Sequence, residues 1–253
     1  MPDFLLLSDM VAQPVPLLLA MLAVCAAYVV FTLVGFGSAL LASGPLAQVM
    51  PVARVIPLLA LLDFAGSSLR GWRARQELAW SELRLLLPGM LLGQLLGVFV
   101  LSRLPAAPMA LALGLFVAYQ GLSGVLGWSR SASLARHALV SGLFGGVLGG
   151  LFGSGGFIYA ACLERRLASR SSFRATQAVL IALSTGWRIG LCLFMGLLDL
   201  RLLATALAFV PAMIVGVFLG HRVDLRLGRE QLFRLLNALL LLCGLSLLWR
   251  FAG

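Results

Sequence analysis

Residues 35–57, GFGSALLASGPLAQVMPVARVIP, and residues 151–179, LFGSGGFIYAACLERRLASRSSFRATQAV, decide how the rest of the chain is read. In each, a glycine cluster interrupts an apolar run, and an arginine-bearing stretch follows. An interrupted helix at membrane depth leaves backbone N–H and C=O groups that hydrocarbon cannot satisfy, so such breaks persist only inside protein or beside water. Glycine lets the chain turn there and lets other groups approach closely. The helix that restarts after each break points its positive N-terminal end toward the midplane, where it attracts an anion.

Outward from these two stretches the chain is oily throughout. Of its 253 residues 61% are apolar and 11% charged, against roughly half and a quarter in soluble domains. Apolar runs fall near residues 15–34, 36–50, 55–70, 84–102 and 106–127, and again near 138–152, 154–164, 176–198, 201–220 and 231–250. A helical run of about twenty residues crosses about 30 Å of hydrocarbon. The expected fold is therefore all-α, one polytopic transmembrane helical bundle over residues 1–253, each half holding two short glycine-broken segments and three full spans.

The formal charge of +10 would suggest nucleic acid in a soluble protein. Here the arginines gather in short connections, where positive charge marks the cytoplasmic side, so membrane lipid is the expected surrounding and nucleic acid is not a partner. Cys25, Cys162, Cys192 and Cys243 stand singly in apolar segments without metal, haem or redox spacing, and no cofactor is expected. The N-terminus carries Asp3 and Asp9 but no basic residue, so the first apolar run is expected to stay uncleaved.

An internal duplication is visible residue by residue. Pro88, Gly93, Gly97, Arg103 and Gly121-Leu122-Ser123 recur 123 positions later as Pro211, Gly216, Gly220, Arg226 and Gly244-Leu245-Ser246. Gly35-Phe36-Gly37 faces Gly153-Ser154-Gly155 at an offset of 118. Repeat 1 is read as about 13–129 and repeat 2 as about 135–251. Four connections are rich in arginine: Arg70, Arg73, Arg75 and Arg84; Arg130 and Arg136; Arg165, Arg166, Arg170 and Arg174; Arg222, Arg226, Arg229 and Arg234. Putting all four in the cytoplasm, and both termini in the periplasm, requires each leading glycine-broken pair to enter and return. Three net crossings then invert the second copy, a feature of many secondary transporters. The competing reading is eight ordinary spans with the glycine stretches as loops.

Candidate binding groups follow from this plan. Two half-helix ends offer an anion about 0.3–2 kcal/mol each, whereas dehydrating it costs on the order of tens, so further donors are needed. Ser38 and Ser154 lie in the breaks beside Gly35, Gly37, Gly153, Gly155 and Gly156; Thr176, Gln177, Ser184, Thr185 and Trp187 lie in the following helix. Arg188 and Asp63 are deep inside spans, where charges are functional by default. Arg188 is the candidate anion ligand; Asp63 either carries a coupling proton or neutralises Arg188 in a structural ion pair. Gly142, Gly145, Gly146, Gly149 and Gly150, like Gln48, Gln94, Gln120 and Asn237, read as helix-packing residues.

The two quoted stretches resemble the paired glycine-rich signatures of the TauE/SafE family of sulfite exporters, also called TSUP. Gly35, Gly37, Gly44 and Pro45 fit the first copy and Gly153, Gly155 and Gly156 the second; Ser38 and Ala39 replace expected glycines, and Ala160 or Ala161 stands where proline is usual. The resemblance covers essentially the whole chain. It implies a bacterial inner-membrane transporter of a small anion, such as sulfite, a sulfonate or a carboxylate, and not an enzyme. Alternating access, a proton or sodium ion as coupling ion and a homodimeric assembly belong to the same expectation. Two other classes compete. An intramembrane enzyme would use Ser154 and His221, although FGSG misses the usual nucleophile order; a passive anion channel would differ in lacking coupling.

Overall fold

The computed structural model describes residues 14–126, 137–222 and 229–252. Arg130, Arg136 and Arg226, the N-terminal Asp3 and Asp9, and the side chains of Arg229 and Arg234 lie outside what is described.

Ten α-helices account for nearly all of it: α1 (Pro14–Val34), α2 (Ser38–Ala47), α3 (Val52–Arg73), α4 (Trp80–Arg103), α5 (Ala106–Val125), α6 (Ala138–Phe152), α7 (Gly156–Arg166), α8 (Arg170–Phe194), α9 (Leu200–Arg222) and α10 (Arg229–Ala252). Six of these, α1, α3, α4, α5, α8 and α9, are long and apolar enough to cross a membrane. The all-α polytopic bundle read from the sequence is what the chain forms.

Local chemistry sets the boundaries. The α1–α2 break runs through Gly35 (φ 92°) and Gly37 (φ 98°), and the α6–α7 break through Gly153 (φ 71°), all left-handed backbone that a side chain strains. Pro51 precedes α3 and Pro105 precedes α5, where a missing N–H costs nothing. Helix α8 begins at Arg170, earlier than the apolar run suggests, because the Ser169 hydroxyl caps it by accepting from the Ser172 N–H at 3.4 Å. The leading pair measures 21 and 10 residues in the first half, 15 and 11 in the second.

Packing pairs elements of one half with elements of the other. The most extensive contacts are α4 with α6, α5 with α10, α3 with α8, and α1 with α9. Exchanging α1–α5 for α6–α10 maps this set onto itself. At the α4–α6 crossing, Gly89, Gly93 and Gly97 meet Gly142, Gly146 and Gly150 backbone to backbone; a Cβ on Gly93 would collide with the Leu143 carbonyl and lie 2.8 Å from the Val147 nitrogen. At the α1–α9 crossing a Cβ on Gly216 would collide with the Cys25 carbonyl, and one on Gly220 would lie 2.7 Å from the Thr32 Cβ. Gly121 and Gly244 hold α5 and α10 together in the same way, against Leu241 and Ala118 respectively. Without a hydrophobic drive between helices in lipid, such close small-residue contact is what binds them.

Polar packing residues follow suit: Gln48 Nε2 donates to Ser246 Oγ at 3.1 Å, and Asn237 fills the space over Gly124. Among the described residues, parts of three arginine-rich connections come together at one end of the bundle. Arg166 pairs with Glu82, and Arg70, Arg174 and His221 line one cavity. Arg54, at the other end of α3, pairs with Asp199 at 3.2 Å.

Candidate functional site

The two breaks meet inside the bundle. A Cβ on Gly153 would sit 2.8 Å from the Ala39 Cβ, and one on Gly156 would sit 2.9 Å from the Phe36 Cβ. Between them lies a cavity of about 20 Å³, room for about one water. Gly37, Ser38, Gly153, Ser154 and Gly156 border it, so α2 and α7 both begin at its wall and bring the positive ends of their dipoles to the same small volume.

Helices α3 and α8, packed side by side, supply the rest. Asp63 comes from α3; Ser184, Thr185 and Arg188 come from α8. Asp63 is 4% exposed and its Oδ1 accepts two hydrogen bonds of 2.7 Å, from the Tyr28 hydroxyl and the Ser38 hydroxyl. It does not pair with Arg188. Arg188 is 2% exposed, and its Nε and Nη1 have no hydrogen-bond partner in the protein. The two charges thus make no direct ion-pair contact, although they share one cavity and interact across it. Asp63 attracts Arg188 through space, but two buried guanidinium donors left without an acceptor remain costly, so the cavity favours a ligand that accepts from them.

The hydroxyls are arranged differently. Ser184 Oγ accepts from Gln94 Nε2 and lies beside the Tyr159 hydroxyl, and its own O–H can donate to a ligand in the cavity. Thr185 donates back to the Ile181 carbonyl at 2.8 Å, and Ser154 makes a long bond of 3.4 Å to the Leu148 carbonyl. Ser38 ties the first turn of α2 to Asp63, so a proton change on Asp63 would be felt at the half-helix end.

Several residues singled out in the sequence lie elsewhere. Thr176 faces the α3–α4 connection, where its hydroxyl accepts from the Ala79 N–H at 3.0 Å. Trp187 is 41% exposed and donates to the Leu91 carbonyl at 3.2 Å. Gly155 is a packing position against the Gly145 carbonyl and Tyr159. Gly35 and Gln177 line the neighbouring cavity, together with His221. Ser154 and His221 therefore sit in separate cavities and form no nucleophile–base pair. Conversely, Tyr28, Gln94, Tyr159 and Phe31 help shape the central site without having been marked as candidates. Tyr28 and Tyr159 carried a detectable signal, being phenols in apolar runs that need a buried partner; Phe31 carried none.

Gly153 is where backbone and site are most tightly joined: a Cβ there would lie 3.1 Å from Arg188 Nη1 as well as against Ala39. Gly153→Ala is expected to lower stability by about 1–2 kcal/mol through its left-handed backbone and to weaken anion binding by displacing the guanidinium. Melting temperatures with and without sulfite measure both effects.

Comparison with known proteins agrees with the architecture. Residues 19–247 match the family described as sulfite exporter TauE/SafE. The chain is 30% identical over 200 residues to the probable inner membrane transporter protein TsaS of Comamonas testosteroni, covering 76% of this chain and 83% of that protein. It is 27% identical over 201 residues to the probable sulfite/organosulfonate exporter TauE of Cupriavidus necator, covering 76% and 77% respectively. No solved structure matches the chain significantly.

Proposed function

The chain belongs to the sulfite exporter TauE/SafE family and is a multi-span membrane transporter; from that premise we propose that it moves a small oxyanion of the sulfite or organosulfonate class through the cavity between the two glycine breaks. The single observation that carries this is Arg188, a buried cation with two unpartnered donors, set between two half-helix N-termini. Guanidinium, helix ends and the Ser184 hydroxyl together offer donors that suit a tetrahedral or pyramidal oxyanion, with the Asp63 carboxylate on the same wall. The family description and the name of the Cupriavidus necator relative, a probable sulfite/organosulfonate exporter, point to the same chemistry.

Alternating access is supported by two features. The cavity holds about one water, less than an oxyanion with several heavy atoms needs, so substrate must enter by a movement that widens it and closes behind. The exchange of contacts between α1–α5 and α6–α10, with glycines 123 positions apart serving equivalent crossings, fits two repeats of inverted topology rocking about a shared site. On this reading the protein sits in the bacterial inner membrane with both termini periplasmic.

Asp63 is the coupling group, a carboxylate that shares the cavity with Arg188 without bonding to it, and whose hydrogen bonds reach α1 and α2. Uptake of labelled sulfite into proteoliposomes tests the whole reading, with and without an imposed pH gradient. The expected result is uptake that the gradient accelerates, competed by organosulfonates and not by cations. Asp63→Asn is expected to keep sulfite exchange while losing the gradient's acceleration at least about tenfold; an undiminished response to the gradient would exclude Asp63 as the proton carrier.

A further inference from the structure

Beyond the central cavity lies a larger one, of about 180 Å³, at the arginine-rich end of α3, α8 and α9. Arg70, Arg174, Gln177, His221, Gly35 and Thr32 are among its lining residues, and no carboxylate is. Arg70 is anchored on one side only: Nη1 donates to the Phe31 carbonyl at 3.1 Å and the guanidinium stacks on the Phe31 ring, 4.1 Å from its centre. Its Nε and Nη2 are buried without partners, and so is the Nε2 of Gln177, a residue only 2% exposed. Two guanidinium groups share this space and no carboxylate lines it, although Asp63 acts on Arg70 from the inner side; an anion would accept from the unpartnered donors and offset the repulsion between the two.

Helical geometry joins this cavity to the central one. On α8, Arg174, Gln177 and Ala178 line the outer cavity, and Ile181, Ser184, Thr185 and Arg188 the inner, a single i, i+3, i+4 stripe. On α3, Asp63 borders the inner cavity and Arg70 the outer, two turns apart on one face. The first glycine break forms the partition, with Gly35 on the outer side and Gly37 and Ser38 on the inner. Phe31 stands at the same boundary: its ring lines the inner cavity while its ring face and carbonyl hold Arg70 of the outer.

We infer that the outer cavity is a second binding station for the transported oxyanion, held between Arg70, Arg174 and Gln177 on the path to Arg188. This rests on the central cavity being the substrate site, and it adds a charged vestibule that concentrates anions at the arginine-rich face. The vestibule has room for a sulfonate group that the closed central cavity lacks.

Calorimetric titration of sulfite into the full chain, held in phosphatidylcholine nanodiscs, tests it. Wild type is expected to show two binding events. Arg174→Gln, at an exposed position that threatens no packing, is expected to weaken one of them about tenfold or more and leave the other; Arg188→Gln is expected to remove the other. Arg70→Gln should reproduce the Arg174→Gln result if it folds. Two events of unchanged affinity in Arg174→Gln, or a single event in wild type, overturn the vestibule. Two unchanged events in Arg188→Gln would instead overturn the central site while leaving the vestibule's own loss readable in Arg174→Gln. A lipid phosphate offers similar chemistry, so the titration is paired with melting curves in discs containing phosphatidylglycerol. Stabilisation by that lipid in wild type, lost in Arg174→Gln, with sulfite binding unaffected in the same variant, would assign the cavity to a headgroup and overturn the proposal.

Discussion

Arg188→Gln is expected to reduce sulfite transport by about 10²–10³-fold while leaving the empty protein as stable as wild type or more so. The transport loss follows from removing the counter-charge of an anion inside a low-dielectric site, which costs about 3–5 kcal/mol for buried pairs, at 1.4 kcal/mol per decade. The stability side follows from the other half of the cycle. In the empty protein the guanidinium is 2% exposed and two of its nitrogens bond to nothing, so a neutral amide of similar reach relieves a desolvated charge and abandons no protein hydrogen bond at those atoms. A purely structural arginine behaves oppositely, since its replacement lowers the melting temperature. Arg188→Lys keeps the charge but not the planar fork, and an intermediate loss is expected. Sulfite counterflow and paired melting curves with and without sulfite decide the matter; wild-type counterflow in Arg188→Gln would remove the central argument for the site.

The sequence exposed this fold to an unusual degree because each helix needs a continuous apolar run and each interruption needs glycine. Gly35, Gly37 and Gly153 were visible as breaks, and the left-handed backbone they adopt is why those positions are glycine. Asp63 and Arg188 were equally legible, because charges are rare in spans and both lie in the third segment of a half, and these two helices pack together. What the sequence hid was direction. Thr176 and Trp187 are polar-tipped residues of the same helix as Arg188, but at 100° per residue Trp187 points about a quarter turn away and Thr176 about a third, toward Leu91 and Ala79. Gln177 falls back onto the Arg188 stripe, three turns along. Also hidden were the partners of Tyr28 and Gln94, since Asp63 and Ser184 come from other helices 35 and 90 positions away. Spacing within one segment holds no trace of such pairs.

Gly93→Leu is expected to prevent the protein from accumulating in the membrane in folded form, with a destabilisation of at least about 4 kcal/mol, the range reached only when packing is wrecked. Three glycines on α4 and three on α6 let these helices touch backbone to backbone, so a side chain at Gly93 has main-chain atoms of Leu143, Gly146 and Val147 in its way, and none of them is a flexible tip that can swing aside. The helices must separate, and the seam between the two halves opens with them. Gly190 supplies the control: it is helical and exposed on α8, with nothing within 4 Å of a Cβ placed there, and Gly190→Leu should leave folding intact. The proposed duplication adds a sharper requirement. Gly216, 123 positions after Gly93, meets the Cys25 carbonyl at the α1–α9 crossing, so Gly216→Leu should fail as Gly93→Leu does. Size-exclusion profiles of a fluorescent fusion compare all three variants directly. If Gly216→Leu folds like Gly190→Leu, the two crossings are not equivalent, and the account of two matched halves moving about the anion site falls with that equivalence.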